Sequence, residues 1–162
     1  MDFTVQEIVI RLVAATVLSG LIGMEREFRQ KPAGIRTNAL IGLGSALMTL
    51  AGLFIAEQWP DTTDPSRIAS VVVQGIGFIG AGAIIQASGS IRGLTTAATM
   101  WVCAGIGILT GFGFYEAALI STIIVLVLLA VFGPLDAKLM GHEEGENGHV
   151  LKPKRTKRHS PR

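Results

Sequence analysis

Hydrophobic residues in this chain gather into five stretches, residues 8–23, 39–56, 68–87, 94–111 and 114–133, in which Arg11 and Glu116 are the only charged side chains. Each stretch is 16 to 20 residues long. At about 1.5 Å of rise per residue, such runs approach the ~30 Å hydrocarbon core of a bilayer, so they predict membrane-spanning helices. The expected fold is all-α: a polytopic membrane protein with five transmembrane helices forming one domain over residues 1–133. The longest connection, residues 24–38, has 15 residues and leaves no room for a second folded domain between spans. Residues 134–162 are polar and short, and read as a disordered, charged cytoplasmic tail. The first span reads as retained, because Asp2 and Glu7 replace the basic region of a signal peptide and Glu25-Arg26-Glu27 stands where a small-residue cleavage site would be.

Composition agrees with this pattern: 49% of residues are hydrophobic, 16% are charged, 20 are glycine and the mean hydropathy is +0.52. The charge distribution adds an orientation. Of the 14 Lys and Arg residues, 12 lie in segments 24–38, 88–93 and 134–162, which share one side, whereas Arg67 alone lies in the opposite segments and Arg11 within the first span. That asymmetry predicts the N-terminus outside and the C-terminus inside. Phe3, Trp59, Phe112 and Tyr115 fall where an outer aromatic belt would lie. The single cysteine, Cys103, allows neither a disulfide nor a multi-cysteine metal site within one chain.

Small residues recur at interhelical spacing: Ala15, Ser19 and Gly23; Gly42 and Ala46; Gly75, Gly77, Gly80 and Gly82; Gly105, Gly107 and Gly111. They predict close backbone approach. The four glycines of the third span fall on two faces of the helix, which predicts neighbours on both sides and a central place in the bundle. The fifth span is bulky all round and reads as peripheral. Gly75-Ile76-Gly77-Phe78-Ile79-Gly80 also satisfies a dinucleotide-binding fingerprint. That reading is rejected, since the fingerprint requires a strand–turn–helix and this run lies inside an uncharged span.

The candidate functional groups lie at the span ends. Glu25 and Arg26 follow the first span, Arg36 and Thr37 precede the second, and Arg92, Thr95 and Thr96 precede the fourth, together forming an expected cytoplasmic polar cluster. Thr37 and Thr95 are candidate N-caps, and two positive helix ends beside two arginines would attract anions. Glu25 and Glu27 could close the cluster internally; an external phosphate or partner carboxylate is the alternative. At the other end, Arg11 and Glu116 lie at matching depths and form a candidate outer-leaflet ion pair, against local pairing of Arg11 with Glu7. No span carries a carboxylate near its midplane, while Thr49, Gln74, Gln86 and Thr99 offer only neutral oxygens, which weakens a magnesium path through the chain. In the tail, His142, Glu143, Glu144, Glu146 and His149 lack metal-site spacing, and the six basic residues from Lys152 to Arg162 suit anionic headgroups. No catalytic set, cofactor motif or nucleic-acid motif is evident, so the chain reads as a non-enzyme that needs no cofactor.

Four blocks resemble the MgtC/SapB family in order and spacing: Gly20 to Glu27, Lys31 to Thr37, Gln74 to Gly82, and Arg92 to Trp101. The resemblance covers roughly residues 8–133. It implies a multi-pass protein of the bacterial inner (plasma) membrane linked to adaptation to low magnesium and, in pathogens, to virulence through survival inside host cells. It also implies regulation of membrane machinery, including the F-type ATP synthase, although the family is often labelled as magnesium transport. The longer family members carry a soluble C-terminal domain that looks ACT-like, which the tail here does not resemble. The expected function is regulation of a membrane partner through helix contacts. The alternative is a magnesium transporter or channel subunit formed by homo-oligomerisation.

Overall fold

The structure, a computed structural model, describes residues 3–60, 64–87 and 90–139. Among these residues, five helices are long and apolar enough to cross a membrane. They are α1 (Val5–Phe28), α2 (Ile35–Gln58), α3 (Pro65–Ala83), α4 (Leu94–Phe112) and α5 (Tyr115–Leu139), with a two-stranded hairpin, β1 (Ile85–Ala87) and β2 (Ser90–Arg92), between α3 and α4.

Capping chemistry carries several helices past their apolar runs. Thr4 and Glu7 form a capping box, in which the Glu7 backbone N–H donates to Thr4 Oγ1 at 3.3 Å and the Thr4 N–H donates to Glu7 Oε2 at 3.0 Å, so α1 starts at Val5. At its far end, the Lys31 N–H donates to the Arg26 carbonyl and the Gln30 N–H to the Glu27 carbonyl, the pair of bonds that defines a Schellman motif. Gln30 takes the left-handed conformation that this motif demands, at φ 54°.

The third apolar run, expected as a helix over 68–87, is helical only to Ala83. Its last residues pair back as β1 on β2, with Ile85 opposite Arg92, Gln86 opposite Ile91 and Ala87 opposite Ser90. Gly93 then turns the chain into α4 at φ 89°, where an added Cβ would collide with the Ala83 carbonyl. A hairpin satisfies these backbone groups with fewer residues than another turn of helix and a return loop.

The centre of the bundle is α4, packed with α1 and α2, and not α3 as the glycine pattern predicts. Half of the α4 span (50%) is buried, against 11% of the α3 span. Gly42 of α2 lies against Ser19 and the Ala15 carbonyl of α1, Gly107 of α4 against the Gly42 carbonyl, and Gly111 of α4 against Thr49. The three helices therefore touch backbone to backbone, as small residues permit. By contrast, Cβ atoms on Gly75, Gly77 or Gly82 would meet nothing within 4 Å, and Gly80 alone of that set has a neighbour, Ala97 of α4. Small residues report where a close approach is possible; they do not say which helix will make it.

The main core joins Ile22, Cys103, Ile106 and Ala118, with a second cluster of Ile76, Met100 and Ala104 tying α3 to α4. Helix α5 lies at the periphery, its Ile123, Ile124, Val127 and Leu128 facing outward and about half exposed. Such a surface suits lipid.

Candidate functional site

At the end of the bundle where α1 turns into α2, here termed the basic end, Gly23 brings the helices together: an added Cβ would lie 2.7 Å from the Gly34 carbonyl. The polar groups are arranged around this contact. Arg26 Nε donates to Glu25 Oε2 at 2.7 Å, and Arg29 Nε approaches Glu25 Oε1 at 2.7 Å. Arg26 is nearly buried, with its side chain 5% exposed and that of Glu25 14% exposed. Arg29 continues outward, donating from Nη2 to the Ala130 carbonyl of α5 at 3.3 Å. One carboxylate thus holds two guanidiniums, and one of these clasps α5 to α1.

The same turn caps α2. Glu27 Oε2 accepts from the Ile35 N–H at 3.0 Å, placing a carboxylate on the positive helix end. One turn in, the fully buried Asn38 donates from Nδ2 to the carbonyls of Ala33 and Gly34, the latter at 3.2 Å. Asn38 Oδ1 is buried with no hydrogen-bond partner among the described residues. Glu27, Gln30, Lys31, Gly34, Arg36 and Thr37 surround a polar hollow of about 480 Å³.

The structure divides the expected cluster. Glu25 and Arg26 are joined, but Arg36 and Arg92 are exposed and make no ion pair among the described residues. Neither Thr37 nor Thr95 caps a helix: the N-cap positions are Gly34 and Gly93, and both threonines are exposed. Thr96 is buried, and its carbonyl accepts from Thr99 Oγ1 at 2.8 Å. Glu25 prefers its own helix because Arg26 and Arg29 lie one residue and one turn away, where no loop need be ordered to reach them.

The expected Arg11–Glu116 pair does not form, and neither does the local Arg11–Glu7 pair. Arg11 Nη1 donates to the Gly111 carbonyl at 2.7 Å, and the guanidinium stacks 4.7 Å from the centre of the Phe3 ring. The C-terminal end of α4 presents carbonyls with partial negative charge and draws the cation inward. Glu7 is occupied by the Thr4 cap, and Glu116 is exposed in the first turn of α5. The packing glycines Gly75, Gly77 and Gly82 face open space. The expected tail begins inside α5, which runs to Leu139 and includes Lys138, while the tail histidines and the basic residues from Lys152 to Arg162 lie outside the described residues.

Three groups escaped the sequence reading: Arg29 as the link to α5, Glu27 as the cap of α2, and Asn38 as a buried bracket of the loop. Only Asn38 left a signal, an amide directly before the second apolar run.

Buried hydroxyls fill the bundle interior and mostly serve their own helices. Thr49 donates to the Ser45 carbonyl at 2.8 Å, Thr110 to Ile106 at 3.1 Å and Thr122 to Ala118 at 2.8 Å. Ser19 differs, donating across from α1 to the Cys103 carbonyl of α4 at 3.4 Å.

Residues 12–138 match the family model described as the MgtC family. The chain belongs to the MgtC family. It is 44% identical over 147 residues to Protein MgtC of Salmonella typhimurium strain LT2, covering 89% of this chain and 62% of that protein. It is 46% identical over 138 residues to a protein of Escherichia coli strain K12 named "Putative magnesium transporter YhiD", covering 83% of this chain and 64% of that one. Against Protein MgtC of Brucella abortus the identity is 40% over 124 residues, covering 76% of this chain and 50% of the relative. The chain thus spans less than two thirds of the length of these relatives. No solved structure matches it.

Proposed function

We propose that this MgtC-family chain is a bacterial inner-membrane protein, N-terminus outside and C-terminus inside, that serves adaptation to low magnesium by binding a membrane partner rather than by carrying the ion. The observation behind the second half is the bundle interior. Magnesium is bound by oxygen ligands, usually with one or two carboxylates, and gives up its water reluctantly. Among the described residues, the buried polar groups are neutral hydroxyls and an amide, apart from Arg26, and most of the hydroxyls already donate to their own helices. The basic end carries exposed Arg36 and Arg92, which repel a divalent cation. The family resemblance suggests the F-type ATP synthase as one such partner, and virulence as one setting. The chain needs no cofactor and performs no catalysis in this reading.

The competing reading, a transporter or channel subunit, draws on the name of the Escherichia coli relative and on the open glycine face of α3, through which copies could assemble. Proteoliposomes containing only this chain decide between them. No magnesium uptake above protein-free vesicles is expected; saturable uptake would overturn the partner reading. A phosphatase fused after Arg162 is expected to be inactive in cells, as an inside C-terminus requires.

A further inference from the structure

Helices α2 and α3 do not lie flush along their length. Toward the end away from the basic loops they touch, since a Cβ on Gly52 would come within 2.9 Å of Ile68. Toward the basic end α3 leans onto α4, where an added Cβ on Gly80 would stand 3.5 Å from Ala97. The two helices splay, and Gly44 and Gly75 look into the gap with nothing within 4 Å of an added Cβ. The result is a cleft of about 530 Å³, walled by Gly44 and Met48 of α2 and by Gly75 and Ile76 of α3, with Arg36 among its lining residues at the basic end.

Its dimensions select an occupant. From Arg36 to Met48 the helix advances 12 residues, or ~18 Å, whereas one leaflet of a ~30 Å hydrocarbon core is about 15 Å deep. The cleft therefore runs from the membrane surface to about the midplane and is closed beyond it by the Gly52–Ile68 contact. A spanning helix, from another protein or a second copy, would need a groove along the full thickness. A lipid of one leaflet needs only this half. The walls are apolar, as an acyl chain requires, and Arg36 is exposed with no ion pair among the described residues. The neighbouring carboxylate, Glu27, is engaged with the Ile35 N–H.

We propose that the α2–α3 cleft binds one anionic phospholipid from the leaflet at the basic end, with an acyl chain between Gly44 and Gly75 and the phosphate on the Arg36 guanidinium. Arginine binds phosphate through two parallel N–H donors. A zwitterionic lipid would bring its ammonium group toward the same cation, so phosphatidylglycerol should be preferred to phosphatidylcholine.

Native mass spectrometry of the detergent-purified chain, supplied with the two lipids carrying identical acyl chains, tests this. One phosphatidylglycerol per chain should be retained at least tenfold better than phosphatidylcholine. Arg36→Gln should abolish that preference without changing the melting temperature in lipid-free detergent, because the side chain is exposed. Gly44→Leu should reduce retention of both lipids by filling the gap. Equal retention of the two lipids, unaffected by Arg36→Gln, would mean ordinary boundary lipid and overturn the proposal. So would competition by inorganic phosphate as effective as by phosphatidylglycerol, which would assign the site to a free anion. A disulfide between Gly75→Cys chains in native membranes would put a second copy in the cleft, with the same consequence.

Discussion

Glu25 is the residue on which the basic end turns, since Arg26 would otherwise sit nearly buried without a counter-charge. Removing one partner of a buried pair costs about 3–5 kcal/mol, and Glu25→Gln should fall toward the lower figure because the carboxylate keeps 14% of its exposure. Thermal melts in detergent check this, and an unchanged melting temperature would contradict it. Sequence spacing assembles Glu25 with Arg36 and Arg92, whereas the structure gives it Arg26 and Arg29. A double-mutant cycle should accordingly show coupling between Glu25 and Arg29 but additivity, within about 0.5 kcal/mol, between Glu25 and Arg92. Gln30 offers a test of opposite sign: its φ of 54° strains any side chain, so Gln30→Gly should raise stability, by about 1 kcal/mol at most.

Among the elements, the apolar runs foretell all five helices because bilayer thickness imposes their length, and the same rule overextends the third. The run continues to residue 87, but chain reversal through Gly93 claims its last residues for a hairpin. Hydropathy has no term for that geometry. Helix α3 begins on Asp64, whose carboxylate accepts from the Ser66 N–H at 2.8 Å, and the Ser66 hydrogen bonds hold its pKa below the usual carboxylate range. A lowered folded pKa stabilises the folded state above the unfolded value and is lost as pH falls through the folded one. The start of α3 should therefore loosen only below about pH 4, the range of an ordinary aspartate. Asp64→Asn, which caps without titrating, should remove that pH dependence while preserving the helix. Amide exchange over residues 66–70 is the measurement, and identical acid profiles for the two proteins would refute the assignment.

For the molecule as a whole, small residues were legible as packing signals, but the partner of each was not. The stripes on the first, second and fourth spans meet as Gly42 against Ser19, Gly107 against Gly42 and Gly111 against Thr49, while the densest stripe, on α3, is mostly unmatched within the chain. Which stripes join depends on the path of the connections, and the close Gly23–Gly34 turn and the hairpin before Gly93 set that path. The two kinds of glycine should differ sharply on substitution. A side chain at Gly107 would drive into the Gly42 carbonyl, and Ser45 Cβ would stand only 2.7 Å from its Cβ, at a three-helix contact with no room to relax. At Gly77 it would enter open space. Overpacking a core costs about 1–3 kcal/mol and more where backbones abut, so Gly107→Leu should abolish the monodisperse folded species in detergent, whereas Gly77→Leu should melt within about 0.5 kcal/mol of the parent. Mass measured alongside the melt gives the second experiment its meaning. A Gly77→Leu protein that stays folded but loses oligomeric mass would show copies meeting through α3, as the transporter reading requires; unchanged mass would leave that face to lipid, consistent with a chain that acts through a partner elsewhere on its surface.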